Sequence, residues 1–295
     1  MKVLANLSDI PELIQEQVRY KNEIELLQKI NKLIQDGSGK LQIVTDFDYT
    51  LTRHKLDNGK TVHTSFGMFR ECPSIPQDYK EEDERLSSIY KPIEIDPQLS
   101  VEEKTKHMVQ WYIAGNTLLK GLKFPRNELK EVAEKMGECY RLGVNALVMW
   151  CGARDVPVLV MSAGLGDAVR AALSAADLLQ PHVKLVSNFL AMDENDIIVG
   201  MKGEVIHTYN KNETAIKNTE YYEMVKNRSN VILMGDNIGD SGMADGMDHC
   251  DTVLKIGYLQ QNMDSNLQNY LNKFDIVLMN DPTLNIVNAI VKLIL

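Results

Sequence analysis

The 295-residue chain sets 32 Lys plus Arg against 41 Asp plus Glu, a formal net charge of −9, with 44% hydrophobic and 25% charged residues. That length allows one large core, or a core with a smaller appended domain. The acidic balance argues against a nucleic-acid polymer or an anionic membrane surface as the main partner. The longest apolar runs, VPVLVM and NALVMW, are too short to span a bilayer, and the opening MKVLANLSDIPELIQEQVRYKN lacks the pattern of a signal peptide. Cys72, Cys139, Cys151 and Cys250 form no CxxC pair, so reduced, mostly buried thiols in a cytoplasmic protein are expected. A monomer is the separate expectation for the assembly.

From Ser8 to Gln35, apolar residues such as Ile10, Leu13, Val18, Leu27, Ile30 and Ile34 recur at helical spacing, which predicts an amphipathic helical lead-in broken near Arg19 to Asn22. A β-branched run follows the Gly-Ser-Gly at 37–39 and predicts a strand over Leu41 to Asp46. Residues 53–141 then carry charged, helix-favouring segments and two loops, read as a helical cap inserted into a core made of 1–52 and 142–295. The αβ rhythm resumes with strands in VPVLVMSAG, HVKLVSNF, NVILMGD, TVLKIGYL and DIVLMND. Helices are predicted over GDAVRAALSAADLL, over NETAIKNTEYYEMVKN with Glu213 in its first turn, after Gly239, near Met263 to Phe274, and from Pro282 onward. Alternation of this kind predicts an α/β fold: a Rossmann-like parallel sheet with helices on both faces and the helical cap inserted after its first strand.

The first strand ends in Asp46-Phe47-Asp48-Tyr49-Thr50. Side chains at i and i+2 of an extended segment point the same way, so both carboxylates could face one volume at the carboxyl edge where such sheets bind ligands. Two converging carboxylates need a cation between them or a shared proton; a solvated turn capped by Asp is the plainer alternative. Later strand ends and helix starts add Ser162-Ala163-Gly164, Lys211, Asp236 and Asp240 to the same edge. Together these types suffice for phosphoryl transfer. Asp46 would be the nucleophile, with Asp48 as acid and base. Mg²⁺ would be held by Asp46, Asp48 and Asp236. Ser162, Ala163, Gly164 and Lys211 would bind phosphate, Lys211 would also assist catalysis, and Asp240 would orient Lys211 or a water.

The motifs Asp46-x-Asp48-x-Thr50-Leu51, the later Ser and Lys, and Gly235-Asp236 followed by Asp240 resemble the haloacid dehalogenase-like phosphatases. Longer stretches, including YKPIEIDPQLSVEEKTKHMVQWY, KGEVIHTYNK and GDNIGDSGMADG, resemble cytosolic 5′-nucleotidase III from about residue 10 onward. That resemblance implies a Mg²⁺-dependent enzyme hydrolysing nucleoside 5′-monophosphates through an aspartyl-phosphate, with Glu94 reading the base. Glu94 suits the amino group of cytosine or the N1–H and 2-amino edge of guanine equally. N7-methylated guanine is a delocalised cation that favours aromatic faces, which points to Phe66, Trp111 and Tyr112, with Asn116 also in the base pocket. The expected substrates are therefore 7-methylguanosine monophosphate and also CMP and UMP. A pyrimidine-specific enzyme, a phosphatase of another small ester such as phosphoserine, and a non-catalytic nucleotide binder are the competing readings.

Overall fold

Residues Leu41–Thr45 are buried throughout, the pattern of a parallel strand covered on both faces. The computed structural model describes residues 3–96, 98–212, 216, 220–247 and 249–295, and places that run inside a seven-stranded sheet. In chain order the elements are β1 (Val18–Tyr20), α1 (Glu23–Asp36), β2 (Leu41–Thr45), α2 (Ser65–Arg70), α3 (Gln77–Ile95), α4 (Val101–Leu119), α5 (Asn127–Glu134) and α6 (Val144–Ala153). They continue with β3 (Val158–Leu165), α7 (Gly166–Ala175), β4 (Val183–Asn188), β5 (Leu190–Met192), β6 (Ile198–Met201), α8 (Glu220–Val225), β7 (Asn230–Gly235), β8 (Thr252–Leu259), α9 (Met263–Leu271), β9 (Ile276–Met279) and α10 (Asn285–Ile294). The strand order is β1-β9-β8-β7-β2-β3-β4, parallel throughout except for β1 on β9.

The two-residue period of the strands sorts the core into two layers. Ile43, Val158, Val160, Ile232 and Met234 pack with the buried faces of α1, α6, α7 and α10. Val44, Leu159, Met161, Val231 and Leu233 face α8 and α9. Helix α1 is held at its start by the Asn22 side chain, which accepts from the Ile24 and Glu25 amides, and ends at Gly37 in a left-handed φ of 72°. Cys72 and Cys151 are buried, and all four cysteines are free thiols. Among the described residues, no helix is long and apolar enough to cross a membrane.

After β2 the chain leaves the sheet and returns at the bridge between Thr52 and Tyr140. Within this excursion α3 packs along α4, while α2 and α5 pack on α7. A second excursion, the hairpin β5–β6, reaches the first: Gly121 donates to the Ile198 carbonyl at 2.8 Å, Ile198 to Leu122 at 2.9 Å and Phe124 to Asp196 at 2.8 Å.

Several predicted elements differ. The lead-in is not helical from Ser8: Leu7–Asp9 and Pro11–Ile14 are 3-10 turns that bury Leu7 and Leu13, and Val18–Tyr20 is an edge strand. Spacing of three serves a 3-10 turn as well as a helix. The stretch after Gly239 is a 3-10 turn, Ile238–Gly242, capped by Asn237 and Asp240. The last helix starts at Asn285, not at Pro282, because Asp281 accepts from both the amide and hydroxyl of Thr283 and Leu142 pairs with Pro282 and Leu284. Of the helix predicted over 212–227, Glu220–Val225 is helical, and Glu213 lies outside the described residues.

Candidate active site

The carboxyl ends of β2, β3 and β7 open onto a cavity of about 390 Å³, whose other wall is formed by α3 and α4. Asp46 follows β2, its amide continuing the ladder to the Met234 carbonyl at 3.0 Å. Its carboxylate is buried and accepts from Lys211 Nζ, which also donates to Asp240 Oδ1 at 2.9 Å. Asp46, Asp236 and Asp240 each offer a carboxylate oxygen within 4.8 Å of the others. Burial, reinforced by Asp240 and Asp48 and only partly offset by Lys211, pushes Asp46 up to about 7. Burial, then Asp46 and Asp240, holds Asp236 well above the usual carboxylate range. Burial works against the Lys211 ammonium, but Asp240 and Asp46 outweigh it and hold that group above the usual lysine range. Three carboxylates against one ammonium leave excess negative charge in a buried place, and their hard oxygen donors fit a divalent cation such as Mg²⁺.

Asp48 faces another way. Ser65, at the start of α2, donates its amide to Asp48 Oδ1 at 2.8 Å and its hydroxyl to Oδ2 at 2.7 Å, and its Oγ accepts from the Leu165 amide at 3.1 Å. Burial raises Asp48 despite these bonds. The hairpin bend that presents it is fixed by Tyr49 at a φ of 60° and by the buried Arg141, which donates to the carbonyls of Thr50 at 2.7 Å, Tyr49 at 2.6 Å and Asp281, and stacks 3.8 Å from the Tyr258 ring centroid. Ser162 is buried at the end of β3, where the register shifts between Met161 and Leu165, and its Oγ accepts from the Gly164 amide at 3.0 Å.

The catalytic edge is thus a buried carboxylate paired to a lysine, a cation-ready carboxylate group, and a hydroxyl-bound acid at one cavity. A family model described as pyrimidine 5′-nucleotidase (UMPH-1) matches residues 49–295. The chain belongs to this family. It is a 5′-nucleotidase, a phosphoric monoester hydrolase on a haloacid dehalogenase-like fold. It is similar to the 7-methylguanosine phosphate-specific 5′-nucleotidase of Drosophila melanogaster, 38% identical over 98% of this chain and 90% of the relative. The Homo sapiens protein of the same description is 34% identical over 90% of this chain and 88% of its own length. Among solved structures, cytosolic 5′-nucleotidase IIIB bound to cytidine superposes with a TM-score of 0.94 at 37% identity, covering 99% of this chain and 98% of that one. A phosphoserine phosphatase complex, at a TM-score of 0.51 and 18% identity over 84% of this chain and 96% of that one, shares the fold.

In this 5′-nucleotidase the cavity gathers Asp46, Asp48, Ser162, Ala163, Gly164, Lys211, Asp236 and Asp240 with Glu94, Phe66, Trp111 and Tyr112. Glu94 Oε1 accepts from the Thr208 hydroxyl at 2.5 Å, and burial raises its carboxyl. Trp111 has one face stacked on Tyr90, at 5.7 Å and 12°. Tyr112 donates its hydroxyl to the Ala163 carbonyl at 2.5 Å, so it braces the Ser162-Ala163-Gly164 turn as well as lining the wall. Phe69, in contrast, is core, packed on Tyr79 and Phe124.

Two of the residues assigned from the sequence stand apart from their assigned groups. The Asp48 carboxylate lies outside the group of carboxylate oxygens formed by Asp46, Asp236 and Asp240, both of its oxygens being engaged by Ser65. Asn116 does not line the cavity but turns toward β6, where its Oδ1 lies 3.3 Å from a Cβ built on Gly200. It lies one turn beyond Tyr112 along α4, nearer to β6. Sequence reasoning missed Ser65, Arg141, Thr208 and Asn188, whose side chain joins the Ala163 carbonyl at 2.9 Å to both backbone groups of Ile206. Each bonds mainly to groups far away in sequence, and only the Thr64-Ser65 helix start carried a local signal.

Proposed function

We propose that the enzyme hydrolyses 7-methylguanosine monophosphate, and also CMP and UMP, to nucleoside and phosphate through an aspartyl-phosphate on Asp46. The observation that carries this reading is that one cavity holds the Asp46, Lys211 and Asp240 network together with Glu94 and Trp111. Asp46 attacks phosphorus while Asp48 gives its proton to the leaving 5′-oxygen. Asp48 then takes a proton from the water that attacks the same phosphorus and frees Asp46. Ser162 and Lys211 hold the phosphoryl oxygens, and Ser65 fixes Asp48 on the leaving-group side. Mg²⁺, held by Asp46 and Asp236 with Asp240 beside them, would lower the electrostatic cost of bringing a dianionic phosphate to a carboxylate. The core, 1–52 and 142–295, does the chemistry and the segment 53–141 selects the base. Relatives described as cytosolic support a cytoplasmic site of action.

A flat, positively charged base suits a cavity lined by Phe66 and Trp111, whose indole stacks on Tyr90. Relatives named for 7-methylguanosine phosphate support that preference, while the relative solved with cytidine supports the second reading, a pyrimidine enzyme. The deciding experiment is phosphate release with Mg²⁺ from 7-methylguanosine, cytidine, uridine, guanosine and adenosine 5′-monophosphates and phosphoserine, beside Asp46→Asn. 7-Methylguanosine monophosphate should lead GMP by a large factor, and Asp46→Asn should bind nucleotide without turnover. CMP and UMP far ahead of 7-methylguanosine monophosphate would replace the first reading with the second, and turnover by Asp46→Asn would refute the mechanism.

A further inference from the structure

Two adjacent hydroxyls tie the acid that faces the base to the lysine that faces the phosphate. Glu94 lies in the last turn of α3, where helix carbonyls lack an amide partner within the helix. Its main-chain carbonyl instead accepts the Tyr209 hydroxyl at 2.6 Å, and its Oε1 accepts the Thr208 hydroxyl at 2.5 Å. Thr208 and Tyr209 belong to the turn that leads into Lys211, whose ammonium joins Asp46 to Asp240. That turn is packed tightly from the other side. A Cβ on Gly239 would lie 2.6 Å from Thr208 Cγ2 and 2.8 Å from the Thr208 carbonyl oxygen, so the loop carrying Asp236 and Asp240 rests on the same threonine.

The carboxylate of Glu94 is therefore presented with one oxygen already engaged and its helix end pinned. A base edge that draws Glu94 toward its own donors loads the same bonds that locate the Lys211 turn. We propose that Thr208 and Tyr209 are positioning residues that couple base recognition at Glu94 to phosphate handling at Lys211, so that a matched base raises turnover as well as binding. This rests on the reading of Glu94 as the base-contacting acid. In energetic terms, binding at the base, remote from the reacting phosphorus, is realised in the transition state and not only in the bound ground state.

The test compares the best nucleoside monophosphate of the panel with ribose 5-phosphate, which has the same reacting ester and no base. Thr208→Val keeps the shape and removes the hydroxyl. It should lower kcat/KM for the nucleotide about 10- to 100-fold, the loss of a hydrogen bond to a charged group. Part of that loss should appear in kcat, ribose 5-phosphate should be unchanged, and Thr208→Ser should restore the nucleotide rate. An equal fall for both substrates would overturn the proposal, since it would mean that the turn merely supports Lys211. An unchanged nucleotide rate, or a loss confined to KM, would overturn it as well. Should Thr208→Val not fold, Tyr209→Phe is read by the same criteria. Glu94→Gln separates the two levels: if it turns over nucleotides as the wild type does, the assignment of Glu94 fails whatever Thr208 does.

Discussion

Gly164→Ala is the sharpest test of how the site is packed. A Cβ at this position would stand 1.8 Å from Ser65 Oγ, 2.9 Å from Asp48 Oδ2 and 3.1 Å from Ser162 Oγ. The first distance is a full overlap, so Ser65 must leave, and with it go the 2.7 Å bond to Asp48 and the 3.1 Å bond from the Leu165 amide. Overpacking and the lost charged hydrogen bond together cost about 2–4 kcal/mol. With Asp48 as the proposed acid and base, displacing its carboxylate by about an ångström should lower kcat about 100-fold. Urea denaturation should show a lower midpoint with unchanged slope, and phosphate release should show the fall in kcat. Adding Ser65→Ala to Gly164→Ala removes the worst overlap. Stability should partly return in the double variant, whereas kcat should stay low because nothing then donates a hydroxyl to Asp48. Wild-type midpoint and kcat in Gly164→Ala would refute this account of the site.

Arg141→Lys cannot span the carbonyls of Tyr49, Thr50 and Asp281, and should lose about 3 kcal/mol in denaturant titration; unchanged stability would show that the clamp is idle. Burial pushes the Cys72 thiol up to about 12 and the Tyr49 hydroxyl up to about 12, from ordinary values of 9.0 and 10.0. The unfolded chain loses these protons first, so their contribution is complete below pH 9 and is lost as pH rises toward 12; the melting temperature should fall across that window, and iodoacetamide at pH 8 should label Cys72 only in denaturant. Saturating Mg²⁺ should raise the melting temperature of chelator-treated protein, by about 2.7 kcal/mol of stability at one hundred times its dissociation constant. Asp236→Asn should abolish that shift, and an equal shift in the variant would remove Asp236 from the cation site.

The residues legible in the sequence are those whose neighbours announce them. Asp46, Ser162 and Asp236 each follow an apolar strand, and the strands themselves proclaim the parallel sheet. Ser65 and Arg141 were illegible for the opposite reason: Ser65 meets Leu165 across 100 positions, and Arg141 answers to backbone carbonyls that any sequence would supply. The edge strand β1 is three residues long, inside a run whose periodicity reads as helix, so only its pairing with β9 defines it. The hairpin β5–β6 was hidden by its brevity. Asn116 was assigned from the resemblance and lies one turn beyond Tyr112 on the same helix; its place beside β6 depends on the β5–β6 hairpin, which the sequence did not announce.

The hairpin has a practical consequence for anyone who wishes to transplant this specificity. The segment does not stand on the sheet alone; it shares backbone hydrogen bonds with the β5–β6 hairpin through Gly121, Leu122 and Phe124. A graft of 53–141 onto a foreign core would arrive with those groups unmatched and with no ledge beneath α4. On the proposal that 53–141 selects the base, the portable unit is two separate pieces of chain, 53–141 and 190–201, and a recombinant that exchanges one without the other should inherit neither parent's choice of substrate.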